Sequence, residues 1–153
     1  MLTMNEQEKG DYLQQLIESE ECYHFQIWGT IMADAKAYLA IGAVSSITMP
    51  GVAALGVLSN AYCYIGGTDN SLNFVIVDSI NVNKVKNILK IPLSSVTNKK
   101  VKKSFIPGRT IIELYIGKEK MKIALMNNTW GTDLKNQKEG IEVFSRMELE
   151  TLI

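Results

Sequence analysis

Tyr62-Cys63-Tyr64-Ile65-Gly66-Gly67-Thr68, then Asp69-Asn70-Ser71, then Leu72-Asn73-Phe74-Val75-Ile76-Val77 is the stretch on which the reading of this chain turns. Two runs rich in aromatic and β-branched residues flank a short Asp/Asn/Ser cluster, which is the pattern of a β-hairpin. The sequence on either side offers more strands to pair with this hairpin and helices to cover it.

Downstream, Asp78 to Asn87 is a polar connection. Ile88-Leu89-Lys90-Ile91-Pro92-Leu93 and Ser95 to Phe105 then read as one or two strands, with Pro92 breaking the ladder or sitting at an edge because it has no N–H to give. Ile106-Pro107-Gly108 is a turn. Arg109 to Ile116 is a strand, Gly117-Lys118-Glu119 a tight turn, and Lys120 to Met126 the returning strand. In that strand Lys120, Lys122 and Ala124 alternate with Met121, Ile123 and Leu125. Asn127–Asp133 is polar and leads into a final helix over roughly 133–150, with Thr132 or Asp133 as its N-cap. Leu134, Ile141, Phe144 and Glu148 share one face of it, and Gly140 is a soft spot.

Upstream, residues 5–20 read as a helix within an N-terminal segment 1–21. Tyr12, Leu13, Leu16 and Ile17 form its apolar stripe, and Gly10 pushes the firm part back to Asp11, the candidate cap. Cys22 to Met32 alternates as a strand, with Tyr23, Phe25 and Ile27 on one face and Gly29 as a bulge or bend. Ala37 to Thr68 is thirty-two residues without a charge. Tyr38 to Leu58 is long enough to cross a bilayer, but Gly42, Ser45, Ser46, Thr48, Gly56 and the Pro50-Gly51 turn signal argue against a spanning helix. The favoured account is a strand near Ala37–Val44, a flat small-residue loop, and the next strand from about Val57.

The 153 residues are 46% hydrophobic and 21% charged, ordinary for a globular protein and far from a disordered one. No repeat, linker or low-complexity tract appears, so one domain over 22–153 follows the N-terminal helix. Basic and acidic residues number 16 each, yet Lys84 to Lys122 holds eleven basic residues against Glu113 and Glu119, a local 11 − 2 = +9. Such asymmetry marks a face for an anionic partner. Cys22 and Cys63 have neither metal nor redox spacing, and the acidic start is unlike a signal peptide. Both features point to a reducing cytoplasmic setting with two strand-buried thiols.

Six or seven short strands closed by one amphipathic C-terminal helix resemble the pleckstrin-homology-like domain in its small bacterial form. Three elements carry the likeness: the Gly66–Phe74 hairpin, Ile91-Pro92-Leu93-Ser94-Ser95-Val96 before a basic strand, and the Arg109–Met126 hairpin followed by the helix. The resemblance implies a mainly β, antiparallel barrel with a capping helix. The arginine usual in the first element is Ser71 here. Trp130 precedes the closing helix, so Phe144 takes the core position that a tryptophan fills in eukaryotic relatives. The loop that carries inositide-binding cations in such domains offers only Lys36.

Lys99, Lys100, Lys102 and Lys103, with Arg109, are the candidate binding residues for an anionic partner. On a strand, Lys100 and Lys102 share one face and Lys99 and Lys103 the other, so the strand belongs at a sheet edge, where lysine also discourages edge-to-edge pairing. No catalytic arrangement emerges: there is no phosphate-binding glycine loop, no nucleophile elbow, and Glu20-Glu21 read as solvated charges. The lone His24 lacks enough co-ligands for a metal, even with Cys22 and Cys63, and no cofactor is implied. The expectation is a non-catalytic binding module that docks a protein partner or a second copy through sheet edges and the 38–60 loop. The alternative is a peripheral membrane protein that touches anionic lipid through the 84–122 lysines and that loop. No aromatic–basic RNA motif is present, so nucleic acid is not an expected partner.

Overall fold

In the computed structural model of the chain, residues 4–32, 59–78 and 84–147 are described. The central hairpin forms as expected, from β2 (Ser59–Gly67) and β3 (Ser71–Val77), with Ile65 opposite Phe74 and Gly67 opposite Leu72. Its turn is locked by one side chain: Thr68 Oγ1 accepts from the backbone N–H groups of Asn70 and Ser71, both at 3.1 Å. Around it run β1 (Phe25–Met32), β4 (Val85–Pro92), β5 (Asn98–Lys103), β6 (Arg109–Ile116) and β7 (Glu119–Met126). All pairs are antiparallel, in the order β4-β3-β2-β1-β7-β6-β5.

Leu89 and Ile91 of β4 lie in the same buried cluster as Ile112 and Leu114 of β6, although these strands stand far apart in the strand order. The sheet is therefore curled so that its two halves share one core. A helix α2 (Gln137–Arg146) closes it: Phe144 is fully buried and its ring stacks on Phe25, centroids 4.8 Å apart. Seven antiparallel strands, curled and closed by a C-terminal helix, are the pleckstrin-homology-like plan, and Phe144 holds the core position expected of it.

A second cluster explains why β3 is buried at every position. Its inner residues Leu72, Phe74 and Ile76 face the main core, while Val75 and Val77 meet Leu13 of the N-terminal helix α1 (Glu6–Gln14). Tyr64 ties the two layers together. Its hydroxyl accepts from the Asn5 N–H at 3.0 Å, and burial pushes that hydroxyl up to about 12. Lys9 is also buried, and its ammonium finds three partners: the carbonyls of Gln26 and Lys135, each at 3.1 Å, and Glu6 at 2.8 Å.

Several expected boundaries differ. α1 ends at Gln14 rather than 20, and its cap is Asn5, whose Oδ1 accepts from the Glu8 N–H at 2.8 Å; Asp11 lies inside the helix. The first strand begins at Phe25, not Cys22. Gly29 is not a bulge: it pairs in register with Cys63, and a Cβ there would lie 2.7 Å from Leu125 Cδ2, so glycine serves close packing. The register shift falls between Ile31 and Met32 instead. Asn87 belongs to β4, since its neighbours already alternate between core and surface. α2 starts at Gln137, preceded by Asn136 with φ 60° and without a side-chain cap, because Asp133 is used elsewhere: its Oδ1 accepts from the Glu6 N–H at 2.9 Å. The expected strand at 37–44, and all of the 38–60 loop except its last two residues, fall outside the described residues; those two open β2. Glu148 also falls outside. Among the described residues no helix is long and apolar enough to cross a membrane.

One polar side chain completes the sheet. β1 pairs with β7 only over Thr30–Met32 and Lys122–Ala124, after which the strands separate. Continued register would set Trp28 opposite Met126. There Gln137 steps in, donating to the carbonyls of Trp28 and Met126 (both 2.9 Å) and accepting from the Trp28 N–H (3.1 Å). Buried backbone groups need partners, and this amide supplies them.

Candidate docking surface on the outer strands

The β6–β7 hairpin sets the geometry. Its two-residue turn, Gly117-Lys118, has Gly117 at φ +63° and brings Glu113 opposite Lys122. Ile112, Leu114 and Ile116 point into the core, so Arg109, Glu113 and Tyr115 share the outer face. β5 adds Lys100 directly across from Glu113 and Lys102 across from Ile111. Lys100, Lys102, Lys120, Lys122 and Arg109 thus share the outer face with a single carboxylate.

Lys102, Lys120 and Lys122 approach the Glu113 carboxylate at 3.0, 3.3 and 3.9 Å. Lysine side chains cover Glu113, leaving it 2% exposed, while all three ammonium groups remain open to solvent. The Lys102 ammonium holds the Glu113 carboxyl below its usual range, burial opposes that shift, and Lys120 reinforces it. Lys100 Nζ lies 5.3 Å from the centroid of the Tyr115 ring. One acid paired with three lysines, with Lys100 and Arg109 beside them, leaves the face positively charged.

The five residues singled out from sequence do not act together. Lys100, Lys102 and Arg109 are on the outer face, as parity required of the two lysines. Lys99 points the other way and is engaged: its ammonium donates to the α2 carbonyls of Phe144 (2.9 Å) and Ser145 (3.2 Å), and to that of Met147. Lys103 shares the parity of Lys99 and ends the strand. The edge position expected of β5 is what the strand order shows. Ser104 N–H donates to the Arg109 carbonyl at 3.1 Å, so the antiparallel alternation turns the N–H and C=O groups of Lys99, Val101 and Lys103 away from β6; the Lys99 N–H is taken by Asn98 Oδ1 at 2.9 Å, and those of Val101 and Lys103 face an edge that has no strand partner among the described residues. Val101, 42% exposed, shares the parity of Lys99 and Lys103.

Glu113 was counted in the sequence only as an acid in a basic tract. The signal that could have found its role was the tight Gly117-Lys118 turn, whose register alone sets it against Lys122. Elsewhere, His24 Nε2 lies 2.5 Å from Asp69 Oδ1, a pair on the surface. Cys63 is buried, its thiol pushed up by desolvation, but Cys22 is exposed because it precedes the strand rather than lying in it. No cluster of potential metal ligands occurs among the described residues.

No family model and no curated protein matches the chain. Solved structures similar to it include the following two. One is the hSac2 domain from human phosphoinositide phosphatase Sac2, 10% identical, covering 90% of this chain and 75% of that one with a TM-score of 0.48. The other is a DUF1696 family protein with a pleckstrin-homology domain from Shewanella loihica PV-4, 15% identical, covering 93% of this chain and 94% of that one with a TM-score of 0.41. The fold assignment rests on this chain's own strand order and closing helix.

Proposed function

We propose that the chain is a non-catalytic binding module that takes an acidic segment of a protein partner along the outer edge of β5. The supporting observation is the combination at that strand: Val101 and Lys103 with backbone groups directed to an edge that has no strand partner among the described residues, flanked by Lys100, Lys102 and Arg109 on the outer face. An added strand supplies main-chain hydrogen bonds, and acidic side chains of the matching parity meet the cations. Lys99 has a structural task and is not part of the contact.

The test uses an oligo-glutamate peptide as probe and backbone amide spectra as readout. Shifts at the amides of Val101 and Lys103, weakened by salt and lost in Lys100→Glu/Lys102→Glu, support the reading. Shifts scattered over the surface, or none at low salt, overturn it. Light scattering addresses the variant in which the partner is a second copy: a monomer at all concentrations removes it.

A further inference from the structure

Just beyond the end of β5 the sheet carries large apolar side chains in the open. Phe105 is 95% exposed in the β5–β6 turn, and Trp130 is 90% exposed in the loop between β7 and α2. The two loops adjoin, since the Asn127 N–H donates to the Gly108 carbonyl at 2.8 Å. Each is internally braced. Ile106 N–H donates to Ser104 Oγ at 3.1 Å, Trp130 N–H to Asn128 Oδ1 at 2.7 Å, and Thr132 N–H to the Thr129 carbonyl at 3.0 Å. The aromatic residues therefore stand on ordered turns.

The acids nearest in sequence, Glu113 and Asp133, are engaged by lysines and by the Glu6 N–H. Residues 101–112 and 126–132 contain no acid, while Lys102, Lys103 and Arg109 sit at the base of the first turn. We infer that this end of the sheet docks on an anionic bilayer, Phe105 and Trp130 entering the headgroup region while Lys102, Lys103 and Arg109 meet lipid phosphates. Two protruding tips suit a soft interface, which closes around any protrusion, better than a protein surface, which needs a matching pocket for each. Aromatic rings favour the interfacial zone, and nearby cations add attraction to anionic headgroups. The contact shares Lys102 and Arg109 with the proposed site along β5, so an anionic membrane and an acidic partner segment compete for these cations, while Phe105 and Trp130 belong to the membrane contact alone.

The test is flotation of the intact chain with phosphatidylcholine vesicles containing or lacking phosphatidylserine, at low and high salt. Binding is expected only with phosphatidylserine, weakening with salt, together with a blue shift of Trp130 emission. Phe105→Ser/Trp130→Ser alters fully exposed positions and is expected to bind at least about tenfold more weakly, with unchanged oligo-glutamate shifts at β5. Three results overturn the inference: no flotation on anionic vesicles at low salt, flotation unaffected by the double substitution, or a dimer by light scattering that the double substitution dissolves. The last would make these tips a contact between copies of the chain.

Discussion

Gly140 lies where α2 crosses β1, and a Cβ built there would sit 2.3 Å from Ile27 Cγ2. Alanine is worth about 1 kcal/mol over glycine in a helix, but Ile27 is β-branched and fully buried, so it has little room to turn aside. Gly140→Ala is therefore expected to destabilise by about 1–3 kcal/mol through overpacking, measured by urea unfolding; a stabilised variant would refute the close approach. What looked like a soft spot in the sequence is the residue that lets the helix seat. Glu113 makes a prediction of a different kind. Its carboxyl is held below its unfolded value, so its contribution to stability is present above the usual carboxylate range and is lost as pH falls through the folded-state value. The gap in urea midpoint between the wild type and Glu113→Gln should accordingly narrow as pH is lowered from neutrality toward about 3. A gap independent of pH would mean that the three lysines do not stabilise the ionised form.

At the scale of elements, β5 and α2 are joined by one ammonium. The last carbonyls of a helix have no partners within it, and the macrodipole leaves them partly negative. Lys99 meets those of Phe144, Ser145 and Met147, all in or just after the final turn. Lys99→Met keeps the apolar stem and removes the donor, with an expected loss of about 1–3 kcal/mol and faster amide exchange confined to the end of α2. Unchanged exchange there would show that water serves those carbonyls equally well. The same pair of elements shows what the sequence could reveal. The Arg109–Met126 hairpin was legible almost to the residue, because a glycine turn and strict alternation are local signals. The parity of Lys99 to Lys103 was legible for the same reason, but their destinations were not, since only the packed fold says that α2 ends beside Lys99 and Glu113 lies under Lys102. The helix ends failed alike. Asp133 has the chemistry of a cap, yet it caps α1, 127 positions away in sequence, and Asn5 does the task assigned to Asp11.

For the whole molecule, the arrangement to explain is a sheet whose outermost strands are far apart in order while the core they enclose is shared. Gln137 bridges β1 and β7 where they part, and Leu89 of β4 packs in the same cluster as Leu114 of β6. Each half alone would leave its inner face open to water, so neither has a reason to stay folded without the other. Cutting a fully buried side chain on one half should therefore weaken both. Leu89→Ala is expected to cost about 2–5 kcal/mol and to do so in a single transition, with far-UV circular dichroism and amide exchange at Ile123 of β7 reporting the same loss. Leu114→Ala on the other half should behave the same way, with exchange read at Phe74 of β3. If instead β1 to β4 melted ahead of β5 to β7 in the first variant, and behind them in the second, the halves would be two independent layers. The edge of β5 would then belong to a unit able to open on its own, and partner binding there would be coupled to local unfolding rather than to a preformed surface.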